Sequence, residues 1–113
     1  MTAVRDGEDY PIWDEFVTAV LALAAVQERR SRFGDKPALW MDDREIAHLE
    51  SPGIIDLRIT HSGWSQIKVD FGDDPAVLRD RSRRDWIELR PRSAAEFTRL
   101  GPVLAMAVAS NRR

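Results

Sequence analysis

Apolar and polar side chains alternate with a period of two between Ala38 and Ile59, in three short segments separated by turn residues. Because successive side chains of a β-strand point to opposite faces, this pattern is typical of antiparallel strands with one buried face. The separating segments, Asp42-Asp43-Arg44 and Ser51-Pro52-Gly53, favour tight reversals of the chain. The sequence therefore predicts a β-meander at the centre of the fold.

The alternation divides the meander into two faces. Seven apolar residues are expected on a buried face: Ala38, Trp40, Ala47, Leu49, Ile55, Leu57 and Ile59. The other face would then mix apolar and charged side chains: Leu39, Met41, Ile46, His48, Ile54, Asp56 and Arg58. A turn centred on Pro52 predicts that Glu50 lies opposite Ile54 and that His48 lies opposite Asp56.

Helical spacing of apolar residues appears on both sides of the meander. An N-terminal helix is expected to begin after Pro11 and to end between Val26 and Arg30, followed by a charged edge strand over residues 28–32. A C-terminal helix is expected to begin at Ser93, whose spacing to Glu96 forms a capping box. Residues 101–102, Gly-Pro, should kink that helix because proline removes a backbone hydrogen bond.

Two further segments lie between the meander and the C-terminal helix. Residues 60–71 favour a short helix, although alternate residues in it are also apolar, and residues 76–79 and 86–90 predict a second hairpin. In that hairpin Ile87 and Leu89 should point inward. The predicted fold class is α+β, an antiparallel β-sheet meander with the N-terminal and C-terminal helices packed on one face.

Length and composition limit the chain to one domain. Its 113 residues, 43% of them apolar, are enough for one core, which we assign to residues 10–113, with residues 1–9 as a loose polar segment. The absence of cysteine excludes disulfides and thiol chemistry and favours a cytoplasmic location. The longest apolar run, residues 19–26, is far shorter than the roughly 20 residues of a membrane span, so no membrane association is expected.

Charge is distributed unevenly along the chain. Residues 1–78 carry 8 basic and 15 acidic side chains, whereas residues 79–113 carry 9 basic and 4 acidic ones. The basic part includes the predicted hairpin over residues 79–92. One hypothesis is therefore that this hairpin binds nucleic acid through Arg79, Arg81, Arg83 and Arg84. The alternatives are that these arginines lie in a solvated loop or meet an acidic protein partner, and that the charge asymmetry is internal, with the basic end near the acidic N-terminal helix.

The mixed face of the predicted sheet is the first choice for a binding surface. It combines apolar and charged side chains, and the residues expected to contribute to recognition are His48, Asp56, Arg58, Trp86, Glu88 and Arg90. An exposed aromatic residue such as Trp86 is a common anchor for a partner. We expect a non-enzymatic binding module whose partner is a protein, a small polar ligand or a second copy of the chain.

Enzymatic chemistry has one candidate. His48 beside Asp56 has the arrangement of a base and its orienting carboxylate, but no serine, cysteine or metal partner is apparent beside it. The adjacent aspartates at residues 42–43 and 73–74 are explained by turns, and the scattered glycines form no phosphate loop. We assign no catalytic residue, no metal ligand and no cofactor.

Several short motifs resemble a known family. Residues 33–34 (Phe-Gly), 44–49 (Arg-Glu-Ile-Ala-His-Leu), 56–57 (Asp-Leu) and 85–89 (Asp-Trp-Ile-Glu-Leu) are similar to a small bacterial family labelled "luciferase domain". The resemblance covers roughly residues 20–110 and implies a compact α+β domain, without a light-emitting reaction. It draws attention to His48 and Asp56.

Many members of that family carry a second histidine where this chain has Glu50, so a two-histidine metal site is not expected here. The order of elements also resembles the MmcQ/YjbR-like fold, some of whose relatives are suggested to bind DNA.

Overall fold

The computed structural model of the chain describes residues 11–80 and 82–112. The expected loose segment, residues 1–9, and the candidate nucleic-acid contact Arg81 lie outside the described residues. The helices and strands are α1 (Trp13–Leu21), β1 (Gln27–Arg30), β2 (Pro37–Met41), β3 (Arg44–Ser51), β4 (Ile54–Arg58), α2 (Thr60–Phe71), β5 (Val77–Arg79), β6 (Trp86–Leu89), α3 (Ala94–Arg99) and α4 (Gly101–Asn111).

The strands form one antiparallel sheet of six in the order β1-β2-β3-β4-β6-β5. The first four strands are neighbours both in sequence and in space, and the hairpin of β5 and β6 follows on the far side of β4. This arrangement confirms the predicted α+β class, the meander and the second hairpin.

The hydrophobic core lies on one side of this sheet. A row of core residues crosses four strands, with Leu39 opposite Ala47, Ala47 opposite Leu57 and Leu57 opposite Ile87. Each of them is at most 1% exposed. The helices complete the core with Phe16, Val20, Trp64, Ile67, Phe97, Leu100, Val103 and Leu104. The sheet can therefore bury one face and leave the other to loops and solvent.

A β-bulge interrupts the regular alternation of β3. Trp40 lies opposite Glu45 and Leu39 lies opposite Ala47, so Ile46 is an extra residue on β3. At such a bulge two successive residues of one strand lie opposite one residue of the partner strand. The side chains beyond the bulge therefore lie on the face opposite to the one that strict alternation would give them. Ile46 and Ala47 both belong to the core, and Glu45 can consequently lie on the same side of the sheet as His48.

The predicted assignment of β2 to the two faces was wrong. Ala38 lies opposite His48 and Trp40 lies opposite Glu45, on the side away from the core. Three residues predicted for the mixed face instead belong to the core or pack against it: Leu39, Ile46 and Met41. Residues 37–41 are all apolar. Their sequence therefore does not determine whether the odd-numbered or the even-numbered side chains of β2 face the helices.

The turn between β3 and β4 gives one correct and one incorrect pair. His48 lies opposite Asp56, as predicted, but Ser51 lies opposite Ile54 and Glu50 is the extra residue of a second bulge. The predicted pair of Glu50 and Ile54 is therefore wrong. The turn itself needs Gly53, whose φ of 85° lies in the left-handed region.

The helices differ from expectation mainly in their ends. α1 ends at Leu21 rather than near residues 26–30 because residues 27–30 pair with β2 as the edge strand. The prediction of a helix over residues 60–71 is confirmed. At the C-terminal side Ser93 caps α3 by accepting the Glu96 N–H, and the chain breaks into two helices at Leu100 before Pro102. None of the helices in residues 11–80 and 82–112 is long and apolar enough to span a membrane.

The corrected assignment of β2 can be tested with two leucine truncations. Leu39→Ala should lower the free energy of unfolding by about 2–5 kcal/mol because it opens a cavity in the core. Leu78→Ala is the matched control, since Leu78 lies on the opposite face and is 39% exposed, and it should cost about 1 kcal/mol or less. Denaturant unfolding measures both losses, and equal losses would contradict the assignment.

Candidate ligand-binding site around His48

The side chain of His48 lies between two buried carboxylates. Its Nδ1 is 3.0 Å from Oε2 of Glu45, and its Nε2 is 2.9 Å from Oδ2 of Asp56. His48 is 5% exposed, Glu45 is 1% exposed and Asp56 is 2% exposed. Both ring nitrogens can donate only when the imidazole is protonated, and an imidazolium between two carboxylates is the charge state that these contacts favour.

The carboxylates control the charge of the ring. Burial opposes the charged form of His48, but hydrogen bonds and Coulombic attraction from Asp56 and Glu45 raise its pKa above the ordinary value. Burial likewise acts to raise the pKa of Asp56, whereas His48 and Arg83 lower it below the usual range. The two shifts agree, since each favours the ionised form of its group.

Glu45 is held in place by the segment that follows β1. Its Oε2 accepts a hydrogen bond from Ser31 Oγ at 2.7 Å, and its Oε1 accepts the backbone N–H of Arg32 at 2.8 Å. Ser31 Oγ in turn accepts the N–H of Phe33 at 3.0 Å. The segment before β2 is thereby fixed onto the face of the sheet that carries His48.

Asp56 is held from the other side by the loop between β5 and β6. Arg83 donates from Nη2 to Asp56 Oδ2 at 3.0 Å and from Nε to Asp80 Oδ2 at 2.6 Å. Asp80 also accepts hydrogen bonds from Ser82, and these with Arg83 lower its pKa to about 2. The other oxygen of Asp56, Oδ1, is buried without a hydrogen-bond partner among the described residues.

A cavity of about 180 Å³ opens beside His48. Glu50 lies in its wall, 54% exposed, with Oε1 3.5 Å from Nε2 of His48. Phe33 forms another wall and is 57% exposed. Its ring centroid lies 5.6 Å from that of His48 and 6.1 Å from that of Trp86, which is itself 5.4 Å from His48. The imidazole is therefore flanked by aromatic rings as well as by carboxylates.

Three groups of this cluster have the composition of a metal site. Among the residues that the structure describes, His48, Glu50 and Asp56 each offer a ligand atom, and these atoms lie within 4.8 Å of one another. Imidazole nitrogen and carboxylate oxygen are common ligands of divalent transition metals. No metal ligand was predicted from the sequence.

The structure brings some of the predicted binding residues together and separates others. His48, Asp56 and Trp86 are in contact. Glu88 lies opposite Asp56 on β6, but its carboxylate binds Arg90 at 2.7 Å. Arg58 lies opposite Trp86 on β4, yet its guanidinium binds Asn111 at the end of α4 and also Asp85.

The described arginines proposed for nucleic-acid contact lie at the hairpin of β5 and β6, where two of them are engaged by other groups of the chain. Arg79 stacks over Trp64 at 5.3 Å and donates to the carbonyl of Arg84 at 3.2 Å. Arg83 binds Asp80 and Asp56. Arg84 is exposed, and Arg81 lies outside the described residues.

Sequence reasoning missed four residues of the site, namely Glu45, Glu50, Ser31 and Phe33. Glu45 is three residues from His48, which places the two on opposite faces of a regular strand. Two successive apolar residues, 46 and 47, interrupt the alternation of apolar and polar side chains in this segment. This interruption was the one sequence signal that indicated a bulge. Residues 31 and 33 lie in a loop, whose position the strand pattern does not specify.

A larger open groove of about 480 Å³ lies on the helical side between α1 and the junction of α3 with α4. Its carboxylates, Asp14 and Glu15, are exposed, and no histidine lines it. The buried charged groups of the described residues therefore point to the smaller cavity as the functional candidate.

Comparison with known protein families, with curated proteins and with solved structures found no match to this chain. The likeness to the luciferase-domain family therefore rests on the sequence motifs alone.

The anchoring of Arg83 predicts a dependence of stability on pH. Because the pKa of Asp80 is lowered to about 2 in the folded chain, its ionised form stabilises the fold above the ordinary pKa of a free aspartate. That contribution should decline as the pH falls from about 4 towards 2. At pH 5 we expect wild type to have a higher free energy of unfolding than Asp80→Asn. The gap between these two free energies should be smaller at pH 2.

Denaturant unfolding at several pH values measures this gap. Asp73→Asn is the matched control for the loss of one carboxylate, since Asp73 is exposed and lies outside the Arg83 contacts. A gap between wild type and Asp80→Asn that stays constant from pH 5 to pH 2 would contradict the interpretation.

Proposed function

We propose that this protein is a binding module that captures a small, positively charged polar ligand in the cavity beside His48. The observation that supports the proposal most strongly is the buried imidazole held between Glu45 and Asp56 next to an open cavity. Functional sites typically contain titratable groups that lie at a cleft and whose pKa is shifted by specific charged partners.

The charge of the cluster favours a cation. Carboxylates outnumber cationic groups among the charged side chains of the cluster and the cavity wall, which are Asp35, Glu45, Glu50, Asp56 and Asp80 against Lys36, His48 and Arg83. Glu50 has most of its side chain at the surface, where its carboxylate can reach a ligand as well as His48. A cation entering here would be attracted in a partly desolvated site, where Coulombic interactions are stronger than in water.

The aromatic rings support the same ligand class. Phe33 forms a wall of the cavity and stands edge-on to Trp86, with an interplanar angle of 89°. The face of an aromatic ring attracts cations, and the interaction strengthens where water is excluded. The Phe33 ring already accepts a cation in this way, since the guanidinium carbon of Arg32 lies 4.9 Å from its centroid.

The arginine contacts argue for this function over nucleic-acid binding. Phosphate recognition needs guanidinium groups that are available to solvent. Arg83 already binds two carboxylates, and Arg79 lies over Trp64. These contacts within the chain leave both guanidinium groups less available to phosphate.

The contacts of His48 also favour binding over catalysis. A general base needs a ring nitrogen directed at the proton that it removes. Both ring nitrogens face carboxylates, and the nearby hydroxyl of Ser31 donates to Glu45 rather than to the imidazole. Ser31 is therefore not arranged as a nucleophile activated by His48.

The ligand class can be tested with a panel of small amines and guanidines and a matched panel of carboxylates and phosphates, all in the presence of a chelator. We expect the cationic compounds to raise the melting temperature and to shift the backbone amide signals of Phe33, Gly34 and Glu50 in NMR spectra. Both effects should be lost in an Asp35→Asn/Glu50→Gln double variant, which removes the exposed carboxylates of the cavity.

Glu88→Gln is the control, because Glu88 lies on the same face but outside the cavity and pairs with Arg90. It should bind like wild type. An equal response to cationic and anionic compounds, or signal changes confined to the helical side, would contradict the proposal.

A further inference from the structure

We infer that the cationic ligands of this site include a divalent first-row transition-metal ion, bound by Nε2 of His48, Oε1 of Glu50 and Oδ2 of Asp56. This inference rests on the proposed function, since it names one class of cation. It concerns three groups whose ligand atoms lie within 4.8 Å of one another, two of which, His48 and Glu50, line the cavity.

The separations of these atoms suit a metal ion. Nε2 of His48 lies 2.9 Å from Oδ2 of Asp56 and 3.5 Å from Oε1 of Glu50, and all three atoms are within 4.8 Å of one another. Ligands at about 2.0–2.2 Å from a tetrahedral zinc ion are about 3.3–3.5 Å apart. Small side-chain rotations would therefore convert the present contacts into coordination distances.

Glu45 orients the imidazole for such a role. It accepts from Nδ1 of His48, so Nε2 faces the two other carboxylates. Glu45 is itself fixed by Ser31 Oγ and by the N–H of Arg32. Carboxylates that hold the second nitrogen of a metal-bound histidine fix its tautomer and raise its basicity. Glu45 and Ser31 are thus positioning residues rather than ligands.

The surroundings of Asp56 are compatible with an added positive charge. The ion would replace the proton that His48 shares with Oδ2, and Oδ2 can keep its hydrogen bond to Arg83 on its other lone pair. Oδ1 of the same carboxylate is buried without a hydrogen-bond partner among the described residues, which is costly. A cation at Oδ2 would offset part of that cost.

The ligand set points to zinc or manganese rather than calcium or magnesium. Calcium and magnesium prefer oxygen alone, whereas imidazole suits zinc, iron and nickel and carboxylates suit manganese. Three protein ligands leave at least one position of the ion for water or another molecule. Phe33 and the cavity border that position.

Calorimetric titration of the chelator-treated full chain with zinc chloride tests the inference, with manganese and calcium chlorides for comparison. We expect one zinc site in wild type and weaker or no calcium binding. Glu50→Gln should weaken zinc binding by more than the roughly 10–100-fold that follows the loss of a group that only orients a ligand. Glu50 is 54% exposed, so this variant should remain folded, which circular dichroism verifies.

Glu88→Gln is the matched control, since it removes a carboxylate from the same face of the sheet, opposite Asp56, but not from the ligand group. It should bind zinc as wild type does. A second readout is the ¹⁵N spectrum of the His48 ring, in which zinc should shift Nε2 far more than Nδ1. Ser31→Ala should weaken binding without abolishing the Nε2 shift.

The outcomes separate the two proposals. Absence of zinc and manganese binding, or equal zinc affinity in wild type and Glu50→Gln, would overturn the metal site. If amines or guanidines still bind in the cavity under those conditions, the proposed function stands without the metal. If neither the metal ions nor the organic cations bind, both proposals fall.

Discussion

The β-bulge at Ile46 is the constraint on which the site depends. In a regular strand Glu45 and His48 would point to opposite faces of the sheet. The extra residue lets Ile46 and Ala47 both enter the core while Glu45 and His48 lie together on the other face. One backbone irregularity thus satisfies two requirements, a continuous apolar layer under the helices and a pair of charged groups above it.

The charged cluster then fixes the loops that cover this face. Burying a charge is costly unless it is paired, and removing one member of a buried pair typically costs about 3–5 kcal/mol. Glu45 is paired through the segment at Ser31, and Asp56 is paired through Arg83 in the loop between β5 and β6. Both loops are therefore held by hydrogen bonds to the same central histidine cluster, and the cavity lies next to it.

The sequence predicted the class of the fold, the strands and most of the helices because strong periodic patterns and turn residues mark them. It also predicted that His48 faces Asp56, a pair that the observed turn yields only because the bulge at Glu50 shifts the register by one residue. It failed for β2, whose five residues are all apolar, and for both bulges. Glu45 and Phe33 were missed because their places depend on a bulge and on a loop, which tertiary contacts determine.

A double-mutant cycle between Glu45 and His48 tests the central claim most directly. Glu45→Ala, His48→Ala and the combined variant would be compared with wild type by denaturant unfolding. If the bulge brings the two side chains together, the combined variant should be less destabilised than the sum of the single variants, by about 0.5–3 kcal/mol. Additive losses within experimental error would contradict the account, because residues on opposite faces of the sheet would not be coupled.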